Sequence, residues 1–148
     1  MLNFSLNKEV RRLHQPKKLD IKRWLQKSLV KTYQNVHLDI CIVSSDTSKQ
    51  LNYQYRSKDY PTNVISLEYQ DSRDNFNLLY GELFLCDDVI IKEAQEQHKS
   101  ITEHYAHMVI HGVLHLQGFD HQNNTDANIM EELEIRIMHE LGFKNPYI

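Results

Sequence analysis

Apolar and polar positions alternate at Leu2, Phe4 and Leu6, and again from Val36 through Leu38 and Ile40 into the continuous run Ile42-Val43. A period of two places successive side chains on opposite faces, so both stretches are read as strands. Val64-Ile65-Ser66-Leu67-Glu68-Tyr69 and Leu83-Phe84-Leu85-Cys86 are read as two more. Elsewhere the spacing lengthens to three or four. Ile21, Trp24, Leu25 and Leu29 recur at helical spacing behind Asp20, which is read as their cap. Ser44-Ser45-Asp46 opens a short helix through Leu51 and Tyr55, and Asp87-Asp88 caps one through Ile91, Ala94 and Gln97. Thr102 opens a helix with Met108, Val109, Leu114 and Leu116 on its apolar face. The last helix follows Asp126, with Ile129, Met130, Leu133, Ile137 and Leu141 as its core stripe and Gly142 as its end. Residues 55–63 read as a loop and 71–77 as a turn rich in Asp and Asn. The expected fold is α/β (α+β): one sheet of about four strands covered by about five helices.

Composition changes this picture little. A chain of 148 residues with 41% apolar and 25% charged positions is an ordinary globular domain, read as one domain over 1–148. No run approaches the ~18 apolar residues of a membrane span. Met1-Leu2-Asn3-Phe4-Ser5 lacks the apolar core of a secretory signal, so a cytoplasmic protein is expected. Cys41 and Cys86 sit alone in strand-like runs and are expected to be buried free thiols. Charge is uneven: residues 1–31 carry nine Lys or Arg against Glu9 and Asp20, whereas residues 82–148 carry four against twelve acids. The basic flank suits either a phosphate backbone or a solvated helix face.

The candidate chemistry lies in His111-Gly112-Val113-Leu114-His115-Leu116-Gln117-Gly118-Phe119-Asp120-His121. Residues four apart share a helix face, so His111 and His115 aim two imidazoles at one point. Gly118 enters the left-handed region without a Cβ penalty and lets the chain turn, so that His121 returns as a third ligand. Three neutral imidazoles suit zinc, although nickel and copper are also accepted, and they leave a fourth position for water. The spacing matches zinc proteases of the His-Glu-x-x-His type, yet Gly112 stands where they carry the Glu that serves as general base. His104 and His107 continue the three-or-four spacing and are open to three roles: outer partners of the metal site, substrate contacts or helix-face residues.

These residues resemble the YbeY-type endoribonucleases, or rRNA maturation factors, whose signature is His-Gly-x-Leu-His-Leu-x-Gly-Phe/Tyr-Asp-His. Leu51-Asn52, Tyr55-Arg56, Pro61-Thr62-Asn63-Val64-Ile65-Ser66 and Gly81-Glu82-Leu83 match further family motifs in order, as do Met130-Glu131 and Leu141-Gly142-Phe143. Leu67-Glu68 stands where the family has Phe-Pro, and Glu82 where it has Asp; both bear on the strand end near the cleft and leave the metal ligands untouched. The resemblance implies a single-strand-specific, metal-dependent endoribonuclease acting in small-subunit rRNA 3′ maturation and ribosome quality control. Its partners would be rRNA and the ribosome or small-subunit proteins. The implied zinc ligands are His111, His115 and His121, with Arg56 as the functional arginine. Arg56 suits phosphate oxygens, or else a surface salt bridge. Asp120 could orient an imidazole or accept a proton, or could merely shape the turn. Ser66 and Asn63 could position RNA or serve the strand end. The nucleophile is either water or the RNA 2′-OH. Two other readings stand beside this one: a zinc-dependent protease-like hydrolase, and a ribosome-assembly factor acting mainly by binding.

Overall fold

A computed structural model describes residues 1–69 and 77–148. Its elements run β1 (Leu2–Lys8), α1 (Lys18–Ser28), β2 (Asn35–Val43), α2 (Ser45–Arg56), β3 (Val64–Glu68), β4 (Leu78–Cys86), α3 (Asp87–Glu96), α4 (Ile101–Leu116) and α5 (Asn124–Glu140). The four strands form one sheet in the order β1-β2-β4-β3. β1, β2 and β4 are parallel, and β3 runs antiparallel along β4. Four strands and five helices agree with the expected α+β class. Of the turn expected over residues 71–77, all but Asn77 lies outside the described residues.

The register follows the alternation in the sequence. Val36, Leu38, Ile40 and Ile42 of β2 lie beside Leu79, Gly81, Leu83 and Leu85 of β4, and their side chains are buried on one face. Helices α1 and α4 pack on this sheet, and α3 and α5 pack on α4. The alternate positions His37, Asp39, Tyr80 and Glu82 stay half-buried or exposed, which explains why β2 reads as alternating although its partners are parallel. Cys86 is buried, but Cys41 shares this second face and is only partly covered, correcting the expectation for one thiol. Burial, then the negative charge of Glu82 and Asp39, pushes the Cys41 thiol up to about 11.

Element ends differ from the sequence reading where several polar residues compete. Lys17 is the N-cap of α1, and Asp20 sits one turn in, its carboxylate accepting the Lys17 backbone N–H at 3.3 Å. Within the Ser44-Ser45-Asp46 stretch expected to open α2, Ser44 is the cap. Helix α4 is capped by Ser100, not Thr102: the Ser100 hydroxyl accepts from the Glu103 backbone N–H at 3.0 Å. Asp87 does not cap α3. It is buried and accepts hydrogen bonds from Arg12 at 2.7 Å and from the Tyr105 hydroxyl, with His14 Nε2 at 3.1 Å. A buried carboxylate needs such partners, and the fully buried Tyr105 supplies one from the middle of α4. Strand β4 starts at Leu78, five residues earlier than read, because pairing with β2 outweighs the break that Gly81 and Glu82 suggest. Ile129 leaves the α5 stripe and is 47% exposed. No helix among the described residues is long and apolar enough to cross a membrane.

Candidate metal centre

Helix α4 is the most buried helix among the described residues, with eleven of its sixteen residues buried. Its approach to the sheet depends on Gly112. A Cβ there would lie 2.8 Å from Leu83 Cδ2 and 3.1 Å from Ser66 Oγ, both on strands. Ser66 instead donates its hydroxyl to the Gly112 carbonyl at 3.2 Å. The glycine that replaces the protease glutamate therefore faces the sheet, where a glutamate side chain has no room.

The end of α4 is a Schellman turn. Gly118 N–H donates to the His115 carbonyl at 3.0 Å, Phe119 N–H to the Leu114 carbonyl at 3.1 Å, and Gly118 takes φ +98°. Gln117 fixes this end to α1: its Oε1 accepts from the Val30 and Lys31 backbone N–H groups, and its Nε2 donates to the Ser28 carbonyl at 2.6 Å. The Lys31 ammonium donates to the Gln117 carbonyl at 2.7 Å and lies over the Phe119 ring. Beyond the turn, Asp120 Oδ1 accepts the His121 backbone N–H at 2.8 Å. Asp120 thus shapes the turn that returns His121.

His111, His115 and His121 meet as their spacing predicts. Nε2 of His115 lies 3.0 Å from Nε2 of His111 and 3.2 Å from Nε2 of His121. Corners of a tetrahedron with bonds of ~2.0–2.1 Å are about 3.3 Å apart, so this donor set can hold a metal ion. Burial, then the neighbouring His111 and His121, pushes the His115 imidazole down to about 4, leaving it unprotonated at neutral pH as a ligand must be.

A second cluster lies behind the first and was not read from the sequence. Glu134 of α5 is fully buried, and its Oε2 lies 3.2 Å from His111 Nδ1 and also accepts from His107 Nε2. Its Oε1 accepts from the Tyr147 hydroxyl at 2.8 Å. Burial alone would raise this carboxyl, but the bonds from His107 and His111 outweigh it and hold it down at about 2. The signal was present: Glu134 stands four residues after Met130 and three before Ile137, a charge on the core stripe of α5. His107 is therefore a buried outer partner of the cluster. His104 is also buried and pairs through Nε2 with Glu93 at 2.8 Å, and Glu93 in turn accepts from Asn63 at 3.1 Å. Both histidines are buried and paired with a glutamate, so neither is a plain helix-face residue.

Arg56 is the last residue of α2 rather than part of the following loop, because Ser57 adopts the left-handed conformation at φ 57° and ends the helix there. Its side chain is exposed and has no ion pair among the described residues. Arg56, Ser66, Leu67, Glu68, His115 and Leu116 line one cavity of about 410 Å³. The arginine and one histidine of the trio thus share the lining of a single cleft with Ser66.

The family profile described as Endoribonuclease YbeY matches residues 4–142. A protein named Endoribonuclease YbeY from Buchnera aphidicola subsp. Acyrthosiphon pisum is 46% identical over 134 residues, 90% of this chain and 86% of that one. Another of that name, from Colwellia psychrerythraea, is 45% identical over 138 residues, 90% of this chain and 88% of that one. The solution structure of TM1509 from Thermotoga maritima shares the fold, with a TM-score of 0.54 and 22% identity over 95% of this chain and 92% of that one. The profile spans nearly the whole chain and the motifs fall in order, and the chain belongs to the endoribonuclease YbeY family.

Proposed function

We propose that residues 1–148 form one metal-dependent endoribonuclease domain that cuts single-stranded RNA. Its work would lie in small-subunit rRNA 3′ maturation and ribosome quality control, in the cytoplasm, with rRNA and the small ribosomal subunit as partners. The observation that carries this reading is the placing of Arg56 and His115 on the walls of one cleft. Family membership supplies the RNA-cleaving chemistry that such a cleft would serve.

His111, His115 and His121 would hold one zinc ion, which when bound supplies Lewis-acid activation of water or of a 2′-OH at neutral pH. The chain's own groups do the rest. Arg56 donates its planar N–H fork to the non-bridging oxygens of a phosphodiester and offsets the charge that grows there. Its exposure at the end of α2 leaves it open to an incoming strand. Asp120 steadies the backbone that carries His121, and Ser66 fixes α4 against the sheet. A protease reading loses its support at Gly112, where the glutamate base would have to enter the helix–sheet interface.

The test is cleavage of a single-stranded RNA and of the same sequence as a duplex, with chelator and with zinc restored, followed by end-group analysis. Zinc-dependent cleavage confined to the single strand is expected. A 2′,3′-cyclic phosphate with a 5′-hydroxyl identifies 2′-OH attack, and a 3′-hydroxyl with a 5′-phosphate identifies attack by water. Cleavage that persists in chelator removes the metal from the reaction. An assembly factor acting mainly by binding would keep its role in cells after His115→Ala, whereas the enzyme would lose it.

A further inference from the structure

Glu134 makes no contact with the RNA-facing cleft, yet it is the buried carboxylate nearest the metal-facing rings. We propose that Glu134 is a positioning residue: it holds His111 by the Nδ1 proton so that Nε2 faces the metal, and Tyr147 anchors Glu134 for that task. The inference rests on the metal-centre reading above.

The argument begins with proton inventory. A neutral imidazole carries one ring proton, and the nitrogen that binds a metal must be free of it. His111 turns Nε2 toward the other two histidines and Nδ1 toward the Glu134 carboxylate, which can accept a proton held there. That assigns the proton of neutral His111 to Nδ1, 3.2 Å from Oε2, and leaves its Nε2 lone pair facing His115 and His121. The opposite tautomer would place a proton where the metal must bind and set two lone pairs, of nitrogen and oxygen, against each other in a buried site. A carboxylate on the far side of a ligating imidazole fixes its tautomer and orientation and raises its basicity.

Both carboxylate oxygens are engaged, which fixes the plane of the group. Oε2 serves the two histidines, and Oε1 accepts the Tyr147 hydroxyl at 2.8 Å. The Tyr147 ring also packs edge-on against His107, with centroids 5.4 Å apart. A residue that is 47% exposed thereby reaches the metal centre through one carboxylate. His107, His111 and Glu134 also lie close enough to hold an ion of their own. Such an ion would have to displace both ring protons and occupy both nitrogens of His111, so the hydrogen-bonded arrangement is preferred.

The test strips the full chain with chelator and titrates it with zinc against a chromophoric competitor, for wild type, Glu134→Gln and Tyr147→Phe. Glu134→Gln is expected to weaken zinc binding about 10–100-fold, and Tyr147→Phe, which keeps the ring, about threefold to tenfold. RNA cleavage by either variant should show a lower kcat at limiting zinc, an unchanged KM, and recovery at saturating zinc. Nitrogen-15 histidine spectra of the metal-free wild type should show His111 protonated at Nδ1 and not at Nε2. These spectra and Tyr147→Phe decide the matter if Glu134→Gln does not fold. A wild type that binds one zinc while both variants bind it within twofold overturns the positioning role alone, as does an Nε2-protonated His111. Two zinc ions per wild-type chain make Glu134 a ligand and also overturn it. A wild type that takes up no zinc overturns the metal-centre reading together with this one.

Discussion

Replacing Gly112 with alanine tests how the metal helix is seated. In an exposed helix this change stabilises by about 1 kcal/mol, because alanine loses less backbone freedom on folding. Here the new Cβ would stand 2.8 Å and 3.3 Å from the two Leu83 methyls and 3.1 Å from Ser66 Oγ. Leu83 is fully buried and cannot swing into solvent, and Ser66 is held by its bond to the Gly112 carbonyl. Overpacking of this kind costs about 1–3 kcal/mol. Offsetting the propensity gain leaves Gly112→Ala between neutral and about 2 kcal/mol less stable. The melting temperature should fall by about 2–4 °C for each kcal/mol in a chain of this size. Urea unfolding of the metal-free protein at neutral pH reads the difference as a lower midpoint at unchanged slope. An alanine variant more stable by about 1 kcal/mol would show that α4 does not lie this close to β3 and β4, and would refute the reasoning.

Installing the protease signature with Gly112→Glu should yield no peptidase and destabilise the fold by about 3 kcal/mol or more, since a charge enters the helix–sheet interface unpaired; a folded, peptide-cleaving variant contradicts this. Arg56→Ala should leave the melting temperature within about 1 °C and lower kcat for RNA about 10²–10³-fold, with Arg56→Lys recovering only part of it because the planar fork is lost. Glu9 accepts from the Ser44 backbone N–H and the Thr47 hydroxyl at 2.8 Å each, and hydrogen bonding to the Ser44 side chain and backbone, then to Thr47, holds its carboxyl below the usual range. A depressed carboxyl stabilises above its unfolded pKa and loses that contribution as pH falls through its folded value. Glu9→Gln should therefore cost a few tenths to about 1 kcal/mol at pH 7 and nothing near pH 2–3, read by urea unfolding at both; an equal cost at both would exclude the ionised carboxylate as the cause.

The three histidines were legible because their geometry is local. A four-residue step on one helix and a glycine turn within the six residues from the second histidine to the third need no knowledge of the rest of the fold. Strands were legible in the same way, from alternation in β1 and β2. The Glu134 cluster was not, because it joins α4, α5 and Tyr147 across 13 to 40 residues of sequence, and only packing brings them together. Its one trace, a glutamate on an otherwise apolar stripe, reads equally as an edge position until burial is known. Asp20 and Asp87 were misread for the opposite reason. An acid near a helix start has several local uses, and the neighbours that decide among them, Lys17 for one and Arg12 with Tyr105 for the other, are not implied by the motif. Arg56 was placed in a loop because the left-handed turn that ends α2 falls on Ser57, not on a glycine.

The most direct test of the account is a stoichiometric one. Chelator-stripped protein is titrated with zinc while RNA cleavage is followed, alongside His115→Ala. The account predicts that wild-type cleavage is absent without metal, rises linearly, and saturates at about one zinc per chain, while the folded His115→Ala variant neither binds zinc at the site nor gains activity. Full cleavage by metal-free wild type, or a His115→Ala variant that takes up zinc and cuts RNA as well as wild type, would contradict a three-histidine metal centre as the seat of the reaction.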